Sequence, residues 1–456
     1  MPVTRRRFSA GLTAFSASRI LGANDRIQVG FIGYGLIGAQ HVYDFKNQRD
    51  VDLVAVSDTY QPRLEQGIEA CGPRAAGGKA KGYADFRRLL DDKDVQAVVI
   101  STPDHWHALM TIMACAAGKD VYVEKPMTLF IREGRWMVET ARRFKRVVQC
   151  GTQQRSGRHY QSARKLLSEG YLGRIHSVRM AAFRNINPGF GIPADQDVPQ
   201  GFHYDLWLGP APARKFTPHR GLYHFRWFWD YSGGQMTNLG AHEIDILQWF
   251  MGVKGPASVY STGGRFVLQD DGETPDTQDA LFEYHLGDGR KFTALWSHRE
   301  GSRGRPAGKS EYFGEFGSLS IARDGWEVHP DPKMPPENAV PQFRGQPAGG
   351  VNRVEVQPEL WVEPRKESGS GAEQFDLHVR NFLDCVKTRQ RPIADVEDGH
   401  QTSVACHLAN ISLRLGRVIR WDADREIILG DPEAAAMLER PYRKPWDAVL
   451  KSIVTV

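Results

Sequence analysis

The sequence predicts an α/β protein in which a doubly wound parallel sheet is followed by a second, α+β domain built on an open, mainly antiparallel sheet. Three observations carry this. From residue 25 to about 150, short apolar runs alternate with helical patterns, the rhythm of a parallel sheet with crossover helices. A glycine-rich turn joins the first run to the first helix. Beyond residue 151 the alternation stops, and half-buried segments of period two replace it.

At roughly 100 to 200 residues per domain, 456 residues leave room for two or three domains. Hydrophobic residues at 41% and charged residues at 25% are ordinary globular proportions, which excludes wholesale disorder and predicts a large packed core. Four of the five net positive charges sit on Arg5, Arg6, Arg7 and Arg19, in a stretch with no acid. The nearly neutral remainder argues against a nucleic-acid partner, whose phosphates would call for a basic surface. No apolar run approaches the ~20 residues of a spanning helix, so a membrane protein is not expected. The five cysteines are odd in number and tens of residues apart, which fits buried thiols better than a zinc site or a disulfide scaffold.

Residues 1–24 stand apart from the predicted fold. Thr4-Arg5-Arg6-Arg7-Phe8, the small and weakly apolar run Ser9 to Ser18, and then Arg19 look like a twin-arginine export signal. This predicts a periplasmic protein, or a cytoplasmic one if the signal is not functional.

The first domain, residues 25–150, opens with a strand over Arg26 to Ile32 and a helix from Gly35 to Asn47. Between them lies Gly33-Tyr34-Gly35-Leu36-Ile37-Gly38, spaced as a dinucleotide-binding turn. Its first glycine permits the tight turn, the second admits a pyrophosphate to the backbone, and the third lets the helix close on the strand. The next strand, Val51 to Ser57, ends in Asp58, placed to receive the adenosine ribose hydroxyls. A carboxylate there repels a 2′-phosphate, so NAD is expected over NADP. Strands at Val95 to Ile100, Val121 to Val123 and Val147 to Cys150 alternate with helices at His105 to Ala117 and Phe130 to Phe144. Ser101-Thr102-Pro103 and Glu124-Lys125-Pro126 follow carboxyl ends of strands, where open α/β sheets bind ligands. A metal reading of His105-Trp106-His107 fails, because residues two apart on a helix point about 200° from one another; no metal site is expected.

Gly33 to Gly38 with Asp58, Thr102-Pro103 leading to His107, and Glu124-Lys125-Pro126 together resemble the Gfo/Idh/MocA family of sugar oxidoreductases, over essentially all the chain beyond residue 24. The resemblance implies a Rossmann domain, a bound dinucleotide, self-association through the open sheet, and a place for Lys125 beside the nicotinamide and the reacting hydroxyl. A lysine so placed and partly desolvated has its pKa lowered and can accept or relay a proton.

The second domain, residues 151–456, shows candidate strands at Arg174 to Phe183, Ala257 to Leu268, Ala280 to Leu286 and Lys291 to His298. The last two are joined by Gly287-Asp288-Gly289, a hairpin turn. A helix over Thr237 to Phe250 follows Gly233-Gly234, and its helical spacing puts Asn238, His242 and Asp245 within about 60° of one another. The resemblance makes His242 the histidine that faces the substrate near the lysine. Inositol dehydrogenases of the family carry aspartate where this chain has Asn238, which weakens the inference to free inositol as substrate and leaves glycosides or other sugars open. The aromatic stretches His203 to Trp207 and Tyr223 to Tyr231 suit either sugar recognition or a core, with Tyr223 and Arg226 as site candidates. Gln153, Gln154, Arg155 and Tyr160 lie just past the domain boundary, where they are expected to reach the crevice. Residues 326–371, rich in proline, glycine and charge, read as a surface excursion. Two amphipathic helices are then expected to close the chain, through Phe375 to Val386 and through Val404 to Leu415, the second stopped by Gly416.

The expected function is NAD-dependent oxidation or reduction of a secondary hydroxyl of a sugar or glycoside, with Lys125 and His242 as the catalytic pair. Transient oxidation that cleaves a glycoside without net NADH is the alternative. A non-catalytic sugar or dinucleotide sensor is a third reading.

Overall fold

The computed structural model of the chain describes residues 26–303, 309–333 and 359–454; the export-signal reading at residues 1–24 lies outside them. The chain begins with β1 (Ile27–Ile32), α1 (Leu36–Lys46), β2 (Val51–Ser57), α2 (Gln61–Cys71), β3 (Lys81–Tyr83), α3 (Phe86–Asp91) and β4 (Ala97–Ile100). It continues with α4 (Asp104–Ala116), β5 (Asp120–Val123), α5 (Ile131–Arg143) and β6 (Val148–Cys150). All six strands pair in parallel in the order β3-β2-β1-β4-β5-β6. Helices cover both faces, so β2, β4, β5 and β6 are buried along their whole length, which is why they read as continuous apolar runs without alternation. The strand order reverses between β1 and β4, and the crevice outside their carboxyl ends is where such a sheet takes a ligand.

The second half opens with α6 (Arg158–Ser168), β7 (Ser177–Phe183), α7 (Tyr204–Leu208), α8 (Gly234–Asn238) and α9 (Gly240–Met251). Then come β8 (Ser258–Gly264), β9 (Thr277–His285), β10 (Lys291–Arg299), β11 (Ser310–Gly314), β12 (Gly317–Ala322), β13 (Gly325–Pro330) and β14 (Lys366–Ser368). The chain finishes with α10 (Gly371–Thr388), α11 (Val396–Leu415), β15 (Ile419–Asp422), β16 (Ile427–Ile428), α12 (Pro432–Ala435) and α13 (Trp446–Val454). These strands form one sheet in the order β14-β13-β12-β11-β7-β10-β9-β8-β15-β16, antiparallel except where β7 and β10 run parallel. Residues alternate between buried and exposed along β9 and β10, so one face is packed. Their hairpin turns at Gly287 to Gly289, with Gly289 at φ 83°.

Four expectations are corrected. The predicted helix Thr237 to Phe250 is two helices that meet at Leu239, where Gly240 passes so close to Trp296 that an added Cβ would lie 3.2 Å from the indole. Residues 326–371 are not loop throughout: their described ends form β13 and β14, and residues 334–358 lie outside the description. The helices α10 and α11 do not close the chain, since α13 follows and stacks Trp446 on Phe86 and sets it edge-on to Trp106. The second domain is also less separate than expected, because α10 buries Val379, Phe382 and Leu383 with Val29, Phe31 and Phe45 against the first sheet.

Candidate functional site

A cavity of about 900 Å³ lies between the carboxyl edge of the first sheet and α8–α9 of the second half, near the upper end of the ~300 to 1,000 Å³ typical of ligand clefts. One end is built by the glycine turn. Gly33, at φ 91°, passes so close to β4 that a Cβ would lie 2.8 Å from the Ser101 carbonyl oxygen. A Cβ on Gly38 would lie 2.2 Å from the Gly33 oxygen, so Gly38 serves helix–strand packing and does not line the cavity. A Cβ on Gly35 would meet only the Arg63 guanidinium, at 3.7 Å, and α1 begins there without a side-chain cap, which leaves its first N–H groups and the positive end of the helix dipole for phosphate. Leu36 and Ile37 line this end. Tyr34 does not; its ring turns into the core over Gly67, and only its N–H is engaged, donating to Asp58.

Asp58 is fixed by two backbone donors, Tyr34 N–H to Oδ2 at 2.8 Å and Tyr60 N–H to Oδ1 at 2.9 Å, and it lines the cavity with further acceptor capacity. Burial pushes its pKa up, against the pull of those donors and of Arg63. Arg63, which the sequence reading missed, reaches from α2 to within 3.7 Å of a Cβ placed on Gly35. The hydroxyl of Ser101 is buried at the cavity wall with no protein partner. An open glycine cradle, an uncapped helix start, an orphaned hydroxyl and an anchored carboxylate form a donor and acceptor set that fits a dinucleotide. Gly33, Gly35, Leu36, Ile37, Asp58 and Ser101 would hold it.

The two ligand-edge turns are tied to each other by His107, whose Nδ1 meets the Pro126 carbonyl oxygen at 2.7 Å and whose Nε2 meets that of Thr102 at 2.8 Å. Thr102, Pro103, His107, Glu124, Lys125 and Pro126 all line the cavity. Glu124 is buried, and its Oε1 is shared by His41 at 2.8 Å and Gln153 at 3.0 Å. Burial alone would raise its pKa, but His41 and the neighbouring cations hold it below the usual range. Glu124 is thus a carboxylate that fixes the turn; Gly151 passes beside it, where a Cβ would lie 2.6 Å from Oε1.

Lys125 reaches across to the second half. Its Nζ donates to the Asn238 carbonyl oxygen at 2.8 Å and to Asn238 Oδ1 at 2.9 Å. Burial, reinforced by Arg226 and Arg323 and opposed by Glu124 and Asp104, brings its pKa down to about 8. His242, one turn on from Asn238, also lines the cavity; its Nδ1 is buried with no partner. Burial, then the charges of Lys125 and Arg323, push its pKa well below the ordinary imidazole range, so the ring is neutral at pH 7. Asp104, the first residue of α4, is buried at the wall, accepts from Ser232 Oγ at 2.5 Å, and is pushed up by burial.

The structure brings Lys125, His242, Asn238, Gln153, Tyr223 and Arg226 onto this one cavity, and leaves other expected substrate contacts elsewhere. Arg155 and Asp245 do not line it: they form a buried ion pair, Nε to Oδ2 at 2.8 Å, with Thr402 donating to the other Asp245 oxygen. Helical spacing placed Asp245 beside His242, but a partner 90 residues earlier in the chain captures it. Tyr160 is buried in the core of the second half, its hydroxyl accepting from Gln154 at 2.7 Å. Most of the aromatic stretch is a small core of its own, with Phe202, Tyr204, Trp207, Phe225, Phe228 and Tyr231 buried together. His105 Nε2 meets the Trp207 carbonyl at 3.0 Å, so that histidine serves packing.

Comparison with known proteins bears on both halves. Residues 27–152 match the family model described as an oxidoreductase family with an NAD-binding Rossmann fold. Residues 158–263 with 372–448, and residues 211–320, match two C-terminal domain models of the same family. The chain is 33% identical to a glycosyl hydrolase family 109 protein of Shewanella baltica over 157 residues, 33% of this chain and 34% of that protein. It is 24% identical to a myo-inositol 2-dehydrogenase of Thermotoga maritima over 255 residues, 56% of this chain and 64% of that enzyme. The matched stretches thus span about a third of the first relative and under two thirds of the second. Levoglucosan dehydrogenase in complex with NADH and levoglucosan shares the fold, with a TM-score of 0.63 at 16% identity, covering 89% of this chain and 100% of that one.

Proposed function

The chain belongs to the Gfo/Idh/MocA oxidoreductase family and carries its NAD-binding Rossmann domain, and from that premise we propose that it oxidises or reduces a secondary hydroxyl of a sugar or glycoside. The observation that supports this reading most is the meeting of Lys125 from the first half and Asn238 and His242 from the second on one cavity. Bound NAD would supply the two-electron acceptor for the carbinol carbon.

The protein's own part is to place the hydroxyl and move its proton. Two tetrahedral directions of Lys125 Nζ are taken by Asn238, and the remaining one is left for substrate: a third N–H in the ammonium, a lone pair in the amine. With a pKa of about 8, Lys125 changes charge near physiological pH, and its amine accepts the hydroxyl proton. His242 stays neutral because it is buried and because a second positive charge beside Lys125 and Arg323 is disfavoured, so its ring orients the reacting oxygen by hydrogen bonding. Glu124, His41 and His107 hold the turn on which Lys125 rides.

The test is a panel of sugars and glycosides offered to the NAD-loaded protein, with products followed by mass spectrometry. Lys125→Ala is expected to lower turnover by about 10²- to 10⁴-fold while NAD binding persists. Survival of activity in that variant overturns the role given to Lys125. A second reading, transient oxidation with loss of the glycosidic substituent, uses the same residues and is favoured only by the likeness to the family 109 protein; release of aglycone without NADH would select it. We further propose export by the twin-arginine sequence at residues 4–8 and self-association through the open sheet. The first fails if a reporter fused to residues 1–30 stays in the cytoplasm, the second if the protein sediments as a monomer.

A further inference from the structure

We propose that the sugar this site takes is anionic, bearing a carboxylate or a phosphate or sulfate ester, and that Arg226 and Arg323 receive that group; the inference rests on the cavity being the sugar site. The two arginines reach the cavity from elements far apart in the fold. Arg226 lies in the 3-10 turn His224–Trp227, and Arg323 in the tight turn between β12 and β13. Arg226 is held in place by its neighbours: Nη1 donates to the Tyr223 carbonyl at 3.1 Å, and the guanidinium sits 5.2 Å from the Tyr223 ring centre and 4.8 Å from that of Phe225. That contact orders the fork without neutralising it.

Among the described residues neither arginine forms an ion pair, whereas Arg135, Arg142, Arg155, Arg184 and Arg389 each have a carboxylate partner. The two cavity-wall carboxylates nearest Lys125 are already engaged. Glu124 is closed off by His41, Gln153 and the Lys125 N–H, and Asp104 accepts from Ser232. Both arginines act electrostatically on Lys125, so their charge is felt at the reacting end of the cavity and not only at its mouth. The dinucleotide's phosphates do not answer them, because those belong to the glycine turn, where Arg63 stands. A neutral sugar would leave both guanidinium groups without a counter-ion. An anionic one would give each a charge-assisted hydrogen bond and would be fixed at one end while its hydroxyl meets Lys125.

The test is calorimetric titration of the NAD-loaded protein with matched pairs: methyl glucuronide against methyl glucoside, methyl galacturonide against methyl galactoside, and glucose 6-phosphate against glucose. The charged member of at least one pair should bind about tenfold tighter. That preference should weaken with added salt and disappear in Arg226→Gln and Arg323→Gln. A preference confined to the uronides identifies a carboxylate as the natural group, and one confined to glucose 6-phosphate identifies an ester. Charged members that bind no better than neutral ones in every pair, undetectable binding included, overturn the inference. So does a preference that survives both substitutions. Tighter binding of the charged sugar with no oxidised sugar, NADH or aglycone leaves this inference standing and removes the oxidoreductase reading; turnover of the neutral sugars alone does the reverse.

Discussion

Asn238 turns its carbonyl oxygen towards Lys125 because its amide nitrogen is committed to Gln235, donating to Oε1 at 3.1 Å. Gln235 is committed in turn, through Nε2, to the buried Glu300 at 2.8 Å. Glu300 also accepts from Trp227 and pairs with Arg184. The orientation of one amide beside the lysine is therefore set by a carboxylate two residues removed from the cavity. An aspartate at position 238 has no N–H to give Gln235, so the amide there is part of this network and not an incidental replacement.

Asn238→Asp should raise the pKa of Lys125, since a carboxylate at hydrogen-bond distance favours the ammonium. The pH at which sugar oxidation reaches half its maximum is expected to move up by about one unit or more. A full kcat–pH profile of the variant against the parent measures it; an unmoved midpoint would mean that Lys125 is not the titrating group.

In the unsubstituted protein the reactive form is the amine. Oxidation should therefore rise with pH through about 8 and level off above it, and reduction of the corresponding carbonyl should fall through the same range. Lys125→Arg carries a charge that does not titrate there, so the step near pH 8 should vanish. Initial rates in both directions from pH 6 to 10 decide the sign, on the order of one proton per step.

Asp58 is anchored by two backbone N–H groups and meets the cavity with its remaining lone pairs. Asp58→Ala should weaken NADH binding by about ten- to a hundredfold, the range for lost hydrogen bonds to a charged group. NADPH binding should weaken less or improve, because the repelling charge is gone. Fluorescence titration with both dinucleotides gives the ratio, and an unchanged ratio refutes the role.

Asp245→Asn is expected to act on stability. It leaves Arg155 buried at 2.8 Å from a neutral amide, with only Asp398, 3.1 Å away, as a remaining carboxylate. A loss of about 3 kcal/mol in urea unfolding is expected, with NAD affinity unchanged. A variant as stable as the parent but unable to bind sugar would instead return Asp245 to the site.

What the sequence shows of this molecule is what lies close along the chain. The turn Gly33 to Gly38, Asp58 at the end of its strand, and Glu124-Lys125-Pro126 after another are all local patterns, and the structure sets them on one edge. The helix α2 escaped notice because Leu64 and Ile68 make a thin apolar stripe, and β3 because Lys81-Gly82-Tyr83 has no apolar run. Arg63 went with α2. Asp104 was legible in principle, as an acid at a helix start just past a ligand-edge turn. Arg323 was not, since only the pairing of β12 with β13 carries that turn to the cavity. Spacing on a wheel predicts a face but not the neighbour it meets: His242 lines the cavity, whereas Asp245 turns to Arg155.

The burial of Val379, Phe382 and Leu383 of α10 against the first sheet has a practical side. Cutting the gene near codon 150 would strip that sheet of one of its covering layers and leave Phe31 and Phe45 facing water. The nucleotide-binding half is thus not a portable module that can be expressed or grafted alone; a working excision would have to carry residues 371–388 along, stitched on out of chain order.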